Sequence, residues 1–182
     1  MLDHPTAVLM WDAAMKLFSN PGVQHEDLRQ LFLVFKAAEV ELPRSGFVFP
    51  SSALLDRARE AWQSPMATEA SSSNTERQVS ACLHRLGVPH ERSVLCPGIE
   101  RTIDIVLEID GQRLALEVDG PTHFLKEPQR TLNGSTLLRN RMLRAYGWTV
   151  LSVPFFDWNF PTDEPRQREA YLRKLLAPYL AL

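Results

Sequence analysis

The tightest constraint on this 182-residue chain is a dipeptide, Asp110-Gly111, set between two runs of alternating hydrophobicity. A two-residue Asp-Gly loop accommodates positive φ at both positions and so joins adjacent antiparallel strands. Residues 102–109 and 113–119 therefore read as a hairpin whose register follows from its loop. Ile109 pairs with Gln112, Glu108 with Arg113, Leu107 with Leu114 and Ile105 with Leu116. Side chains alternate across a strand, so Ile103, Ile105, Leu107, Leu114, Leu116 and Val118 share a core face. Thr102, Asp104, Val106, Glu108, Arg113, Ala115, Glu117 and Asp119 share the other.

On that second face Glu108 opposite Arg113 is a favourable cross-strand pair, but Asp104 falls opposite Glu117. Like charges roughly 5 Å apart across a ladder are destabilising, by on the order of 3 kcal/mol at an effective dielectric of about 20. Asp119, two residues further along, adds to the repulsion. Three devices offset such a cluster: a bound metal, a buried basic side chain, or a raised pKa that keeps one carboxyl protonated. Hard carboxylate oxygens suit Mg²⁺ or Mn²⁺, which makes Asp104, Glu117 and Asp119 candidate metal ligands. The competing structural reading is neutralisation by Arg101 or by an arginine of the later helix. Gly120 and Pro121 then turn the chain sharply and throw His123 back beside the acids, where it is a candidate general acid or base. As a lone histidine in a turn it reads equally well as a hydrogen-bonded structural residue.

Around the hairpin the pattern is mixed α/β. Residues 6–18, 26–39 and from Ser51 or Ser52 to Trp62 carry apolar residues at helical spacing. Residues 63–74, rich in serine, read as a linker. Ser73 and Glu76 form a capping-box pattern at the start of a helix that stops at Gly87. Strands are expected at 91–95 and 149–153, with helices at 136–146 and 164–180. Organisation is then a helical segment over 1–62, a linker over 63–74 and an α/β domain over 75–182. Composition excludes several classes. No apolar run approaches the roughly 20 residues of a membrane-spanning helix. Cys82 and Cys96 have no zinc spacing around them. A formal net charge of -2 argues against coating nucleic acid by bulk charge. Basic residues are nevertheless concentrated between Thr122 and Trp148, as Lys126, Arg130, Arg139, Arg141 and Arg144 against the single acid Glu127. This reads either as a local anion-binding rim or as a solvated face.

Three motifs in order carry a family resemblance. Residues 116–124, Leu-Glu-Val-Asp-Gly-Pro-Thr-His-Phe, resemble the E-V-D-G-P-x-H-F core of RAP domains. Asn133 to Thr136, followed by Leu138, Arg139, Arg141 and Leu143, resembles the family's G-x-T-x-x-K-x-R-x-L stretch. Residues 147–158, Gly-Trp-Thr-Val-Leu-Ser-Val-Pro-Phe-Phe-Asp-Trp, resemble its G-[WY]-x-V-x-x-V-P-[FY]-[FY]-x-W ending. The resemblance implies a restriction-endonuclease-like, PD-(D/E)xK-like mixed sheet flanked by helices, near the very-short-patch-repair branch. In such nucleases Asp104 and Glu117 match the acid positions, and Asp119 stands where a lysine is usual. That departure weakens the implied hydrolysis, though His123 stands near enough to substitute. Glu76 matches a first-helix acid of some relatives, and its capping role explains it as well. The resemblance also implies RNA metabolism in a mitochondrion, with a plastid the alternative. RNA, ribosomal RNA included, and ribosomal or RNA-processing proteins are the implied partners. Residues 1–62 would be a remnant of a helical-repeat array. No targeting signal is visible in the sequence. Two functions follow: a module that holds RNA on a nuclease-like fold without cutting it, or a metal-dependent endoribonuclease using Asp104, Glu117, Asp119 and His123. Phe124, Lys126, Arg130, Arg139, Arg141 and Trp158 are the expected RNA contacts, the two aromatics by stacking on bases, whereas Trp148 and Phe155 flank a buried strand and are expected in the core.

Overall fold

The computed structural model describes residues 22–41, 53–64, 69–127, 130–159 and 165–180, with isolated positions between 9 and 20. Most of the helix expected over 6–18 lies outside the described residues. The chain divides into two compact units, Met1–Ser64 and Pro65–Leu182.

In the first unit, helices α1 (His25–Glu41) and α2 (Ala53–Gln63) meet along apolar faces. Leu28, Leu31, Phe32 and Phe35 are buried, as are Leu54, Ala58 and Trp62. The Phe32 and Trp62 rings lie 5.9 Å apart. Arg29 is buried as well, and its Nη2 donates to the Ser64 carbonyl at 2.9 Å, which gives the buried guanidinium an acceptor where the second helix ends.

The second unit runs α3 (Glu69–Arg85), β1 (Glu91–Cys96), β2 (Arg101–Ile109), β3 (Gln112–Asp119), a single 3₁₀ turn (Pro121–His123), α4 (Gly134–Ala145), β4 (Thr149–Pro154), the one-turn α5 (Phe155–Trp158) and α6 (Pro165–Leu176). It is an α/β unit with one mixed sheet in the order β1-β2-β3-β4. The first two pairings are antiparallel, and β3 and β4 run parallel, as a strand–helix–strand crossover through α4 requires. Asp110 and Gly111 have φ of 49° and 75°, the two-residue turn with both φ positive. The β2–β3 register runs from Ile109↔Gln112 to Ile105↔Leu116, as the loop dictates. Val79, Cys82 and Leu83 of α3, with Leu172 and Leu176 of α6, cover Ile105, Leu107, Leu114, Leu116 and Val118 in one core.

The helix α3 differs from its expected start. It begins at Glu69, inside the stretch read as a linker. Once Val79, Cys82 and Leu83 anchor it to the sheet, extending it backward adds one hydrogen bond per residue ordered, which outweighs the weak helix preference of the serines. The expected start at Ser73 therefore falls inside the helix, and Glu76 accepts from Arg92 Nε at 2.9 Å. At the other end, α6 stops at Leu176 short of the expected residue 180, because the residue before Pro178 is steered away from helical backbone.

Candidate functional site

Strand β3 is buried on both faces over its last six residues. Glu117 and Asp119 are 0% and 1% exposed, which demands partners for both carboxylates. The partner comes from α4. Asn133 caps this helix by accepting the Thr136 N–H at 2.9 Å, and that start sets Arg139 over the sheet. Arg139 Nη2 lies 3.1 Å from Glu117 Oε2 and 3.1 Å from Asp119 Oδ1. Ser152 of β4 donates its hydroxyl to Asp119 Oδ2. His123 Nδ1 stands 3.4 Å from Asp119 Oδ1 and 3.1 Å from Thr136 Oγ1. Asp104 is turned differently: its Oδ2 accepts the Val118 N–H at 2.8 Å, so one step past Ile105↔Leu116 a carboxylate takes a donor of the β3 backbone.

The electrostatics follow from burial beside one cation. Burial pushes the Glu117 carboxyl up to about 8, with Arg139 pulling it down and Asp104 and Asp119 pushing it further up. Asp104 is pushed up to about 6 by burial, against the Val118 N–H and Arg139. Burial and the nearby Arg139 hold His123 below its ordinary value despite Asp119. Burial disfavours the Arg139 charge, but Glu117, Asp119 and Asp104 together outweigh it and raise its pKa. Burial and the neighbouring acids thus favour the neutral form of Glu117, and the Arg139 guanidinium opposes them. Of the three devices that can hold an acidic cluster, the geometry shows an arginine of the later helix, and burial pushes Glu117 toward a second, the protonated carboxyl.

A divalent ion does not fit this arrangement. Arg139 bridges Glu117 and Asp119, and Asp104 is engaged by backbone. Among the described residues no three His, Cys, Asp or Glu side chains are gathered to hold a metal. Neither Glu117 oxygen has a hydrogen-bond partner of good geometry, and Arg139 Nε is likewise buried without one, which marks this as the most polar-strained part of the unit.

The expected RNA contacts disperse. Arg139 points inward to the acids and is not part of an outer rim. Phe124 is 9% exposed and packs edge-on against Phe155 and Phe156 at 5.8 and 5.0 Å. Trp158 is 1% exposed, and its indole N–H donates to Gln78 Oε1 at 3.2 Å. Both aromatics fill the interior, because the turn at Pro154 folds 155–158 back onto the sheet. Phe155 itself is half-buried, as is Trp148, which stacks under Arg113 at 4.6 Å. Lys126, Arg130 and Arg141 remain exposed, but Arg130 lies 3.5 Å from Asp157 and over the Phe156 ring at 4.5 Å. The residues that sequence reasoning missed are Ser152 and Thr136. Ser152 left a signal: it is the polar residue within the otherwise apolar run 150–153, and in the parallel register it pairs with Glu117.

The family model described as the RAP domain matches residues 116–175, a span that contains Glu117, Asp119, His123, Arg139 and Ser152 and leaves out Asp104. Over 147 residues the chain is 27% identical to a protein described as "RAP domain-containing protein, chloroplastic", from Oryza sativa subsp. japonica. That alignment covers 81% of this chain and 22% of the relative, so the chain corresponds to a small part of that protein's length.

Proposed function

Because residues 116–175 carry a RAP domain, we propose that the chain is an RNA-binding factor of organellar RNA metabolism, which holds RNA on a nuclease-like fold and does not cut it. The observation that carries the second half of this reading is Arg139, whose guanidinium lies 3.1 Å from both Glu117 and Asp119. A metal-dependent nuclease needs those carboxylates for its ion and its attacking water. Here a fixed cation takes their place, and its charge cannot be withdrawn by deprotonation. The order helix, three antiparallel strands, helix, parallel strand agrees with the restriction-endonuclease-like fold that the motifs imply, and that fold is part of the proposal. The compartment is a mitochondrion or a plastid. The rice relative's printed name is chloroplastic, which favours an organelle without choosing between the two. Ribosomal RNA, with ribosomal or RNA-processing proteins, is the proposed partner class. The helix pair α1 and α2 is proposed as the end of a helical array.

The test combines binding, cleavage and melting. Labelled RNA is incubated with the chain in millimolar Mg²⁺ or Mn²⁺ and should be bound and recovered intact. A metal that binds the folded state alone at a hundredfold excess over its dissociation constant would add about 2.7 kcal/mol, and no such rise in melting temperature is expected. Cleavage that disappears in Asp104→Asn and Glu117→Gln, with a metal-induced rise lost in the same variants, would replace the holding role with an endoribonuclease.

A further inference from the structure

The described surface carries a second basic feature on a different side of the sheet. Arg77, Ser80, His84 and Arg85 fall at successive turns of α3, and with His90 and Arg92 they line one open groove. No acidic side chain lines it among the described residues. Its floor is fixed by hydrogen bonds. His90 Nδ1 is 2.9 Å from the Val88 carbonyl, which can only accept, so Nδ1 carries the proton. His90 Nε2 lies 2.7 Å from the Ser80 hydroxyl, which ties the helix to the start of β1. Two of the arginines are aimed by carboxylates behind them. Arg85 Nε lies 2.9 Å from Glu169 Oε1, and Arg92 Nη2 lies 2.9 Å from Glu76 Oε1. A guanidinium has five donors, so each keeps N–H groups free of its ion pair. Arg77 and His84 are exposed, and among the described residues their side chains have no hydrogen bond or ion pair.

We propose that this groove between α3 and the start of β1 binds the phosphodiester backbone of single-stranded RNA. The proposal rests on the RNA-binding reading above and locates its contact outside the family-matched stretch 116–175. Guanidinium forks match phosphate oxygens in geometry and charge. From Arg77 to His84 the helix advances about 10 Å, further than one small anion can bridge, so the stripe suits a chain of phosphates. The groove is open, which lets a polymer pass through it. The helix α3 covers the apolar face of the sheet through Val79, Cys82 and Leu83. Glu117 and Asp119 alternate with the residues of that face and point the other way, so RNA in the groove does not meet the acids. This accommodates a chain that carries a buried acidic cluster, has net negative charge and still binds RNA.

The experiment is fluorescence anisotropy of the whole chain with a labelled 12-nucleotide oligouridylate across a salt series. It uses wild type, Arg77→Gln/His84→Gln and, as comparator, Lys126→Gln/Arg141→Gln. The groove variant should bind several-fold more weakly and lose about 0.7 of salt slope per lost phosphate contact. Its melting temperature should be unchanged, since neither side chain is buried. The comparator should bind more nearly as wild type does. Millimolar inorganic phosphate or uridine monophosphate should not displace the oligomer. Wild-type binding with unchanged affinity and slope in the groove variant overturns the location and leaves the RNA-binding reading standing. Displacement by the small anions overturns the polymer in favour of a small-phosphate site. Failure of the wild type to bind RNA even at low salt ends both readings.

Discussion

The two faces of β3 are buried to the same degree by different physics. On one, Leu114, Leu116 and Val118 meet α3 and α6 in an apolar core. On the other, Glu117 and Asp119 meet Arg139 of α4. Apolar burial is non-directional and roughly proportional to area, so the first face tolerates volume-conserving change. The second depends on one cation in one place, because an uncompensated buried charge costs several kcal/mol. A face built this way adds little net stability over a hydrophobic equivalent. Its retention beneath a helix is what sets this stretch apart from ordinary core.

The sharpest way to break the comparison is Arg139→Met. It leaves two buried carboxylates without their cation, and removing one partner of a buried pair costs about 3–5 kcal/mol. The loss should be greater at pH 9 than at pH 5, because protonating Glu117 relieves part of it. Urea unfolding at the two pH values measures this, and a loss under about 1 kcal/mol at both would mean that Arg139 does not hold the face together. The matching change on the apolar side, Leu116→Ala, removes a fully buried side chain and should cost about 2–4 kcal/mol through lost burial and the cavity left behind. That cost should be the same at both pH values. A pH-dependent cost would show that the two faces are coupled through the strand.

The smallest effect is the most diagnostic. Glu117→Gln replaces a carboxyl pushed toward its neutral form with a neutral group of similar shape, so at pH values below the unfolded carboxylate range, where neither state ionises it, stability should change by about 1 kcal/mol or less. The pH profile should change more. Asp104 and Glu117, raised to about 6 and about 8, hold protons in the folded chain that the unfolded chain has released. Their contribution is complete below the unfolded carboxylate range and is lost as pH rises through those values, by at most about 1.4 kcal/mol per pH unit for each proton. His123 has the opposite sign. Its depressed value gives a contribution that is present above the ordinary histidine range and lost as pH falls. Wild-type stability should therefore decline as pH rises from the unfolded carboxylate range toward about 8 and level off above it, and Glu117→Gln should flatten the decline between pH 6 and 8. An unaltered profile in the variant would assign the decline to another group.

Much of the α/β unit was written in local sequence, because its signals are short-range. Asp110-Gly111 imposes a backbone geometry on itself, and alternation then assigns every neighbouring side chain to a face. Ile103, Ile105, Leu107, Leu114, Leu116 and Val118 were legible as core for that reason, as was the presence of an acidic cluster on the reverse. What offsets that cluster was not legible. Arg139 is 20 residues from Asp119, and on the sequence it reads like Arg141, two residues away. Only the packing of α4 over β3 turns one arginine toward the carboxylates and leaves the other exposed. The same held for Phe124 and Trp158, whose burial depends on where the Pro154 turn sends the chain, and for the expected helix start at Ser73, which was overridden when α3 found its anchor on the sheet. The grouping of Arg77 and His84 with Arg92 required a helix and a strand to be laid side by side. Local sequence determined which residues share a face, since backbone periodicity is intrinsic to a strand or a helix. Tertiary structure alone decided which charges meet, since that depends on how separate elements pack, a choice in which burial and charge compensation are settled together.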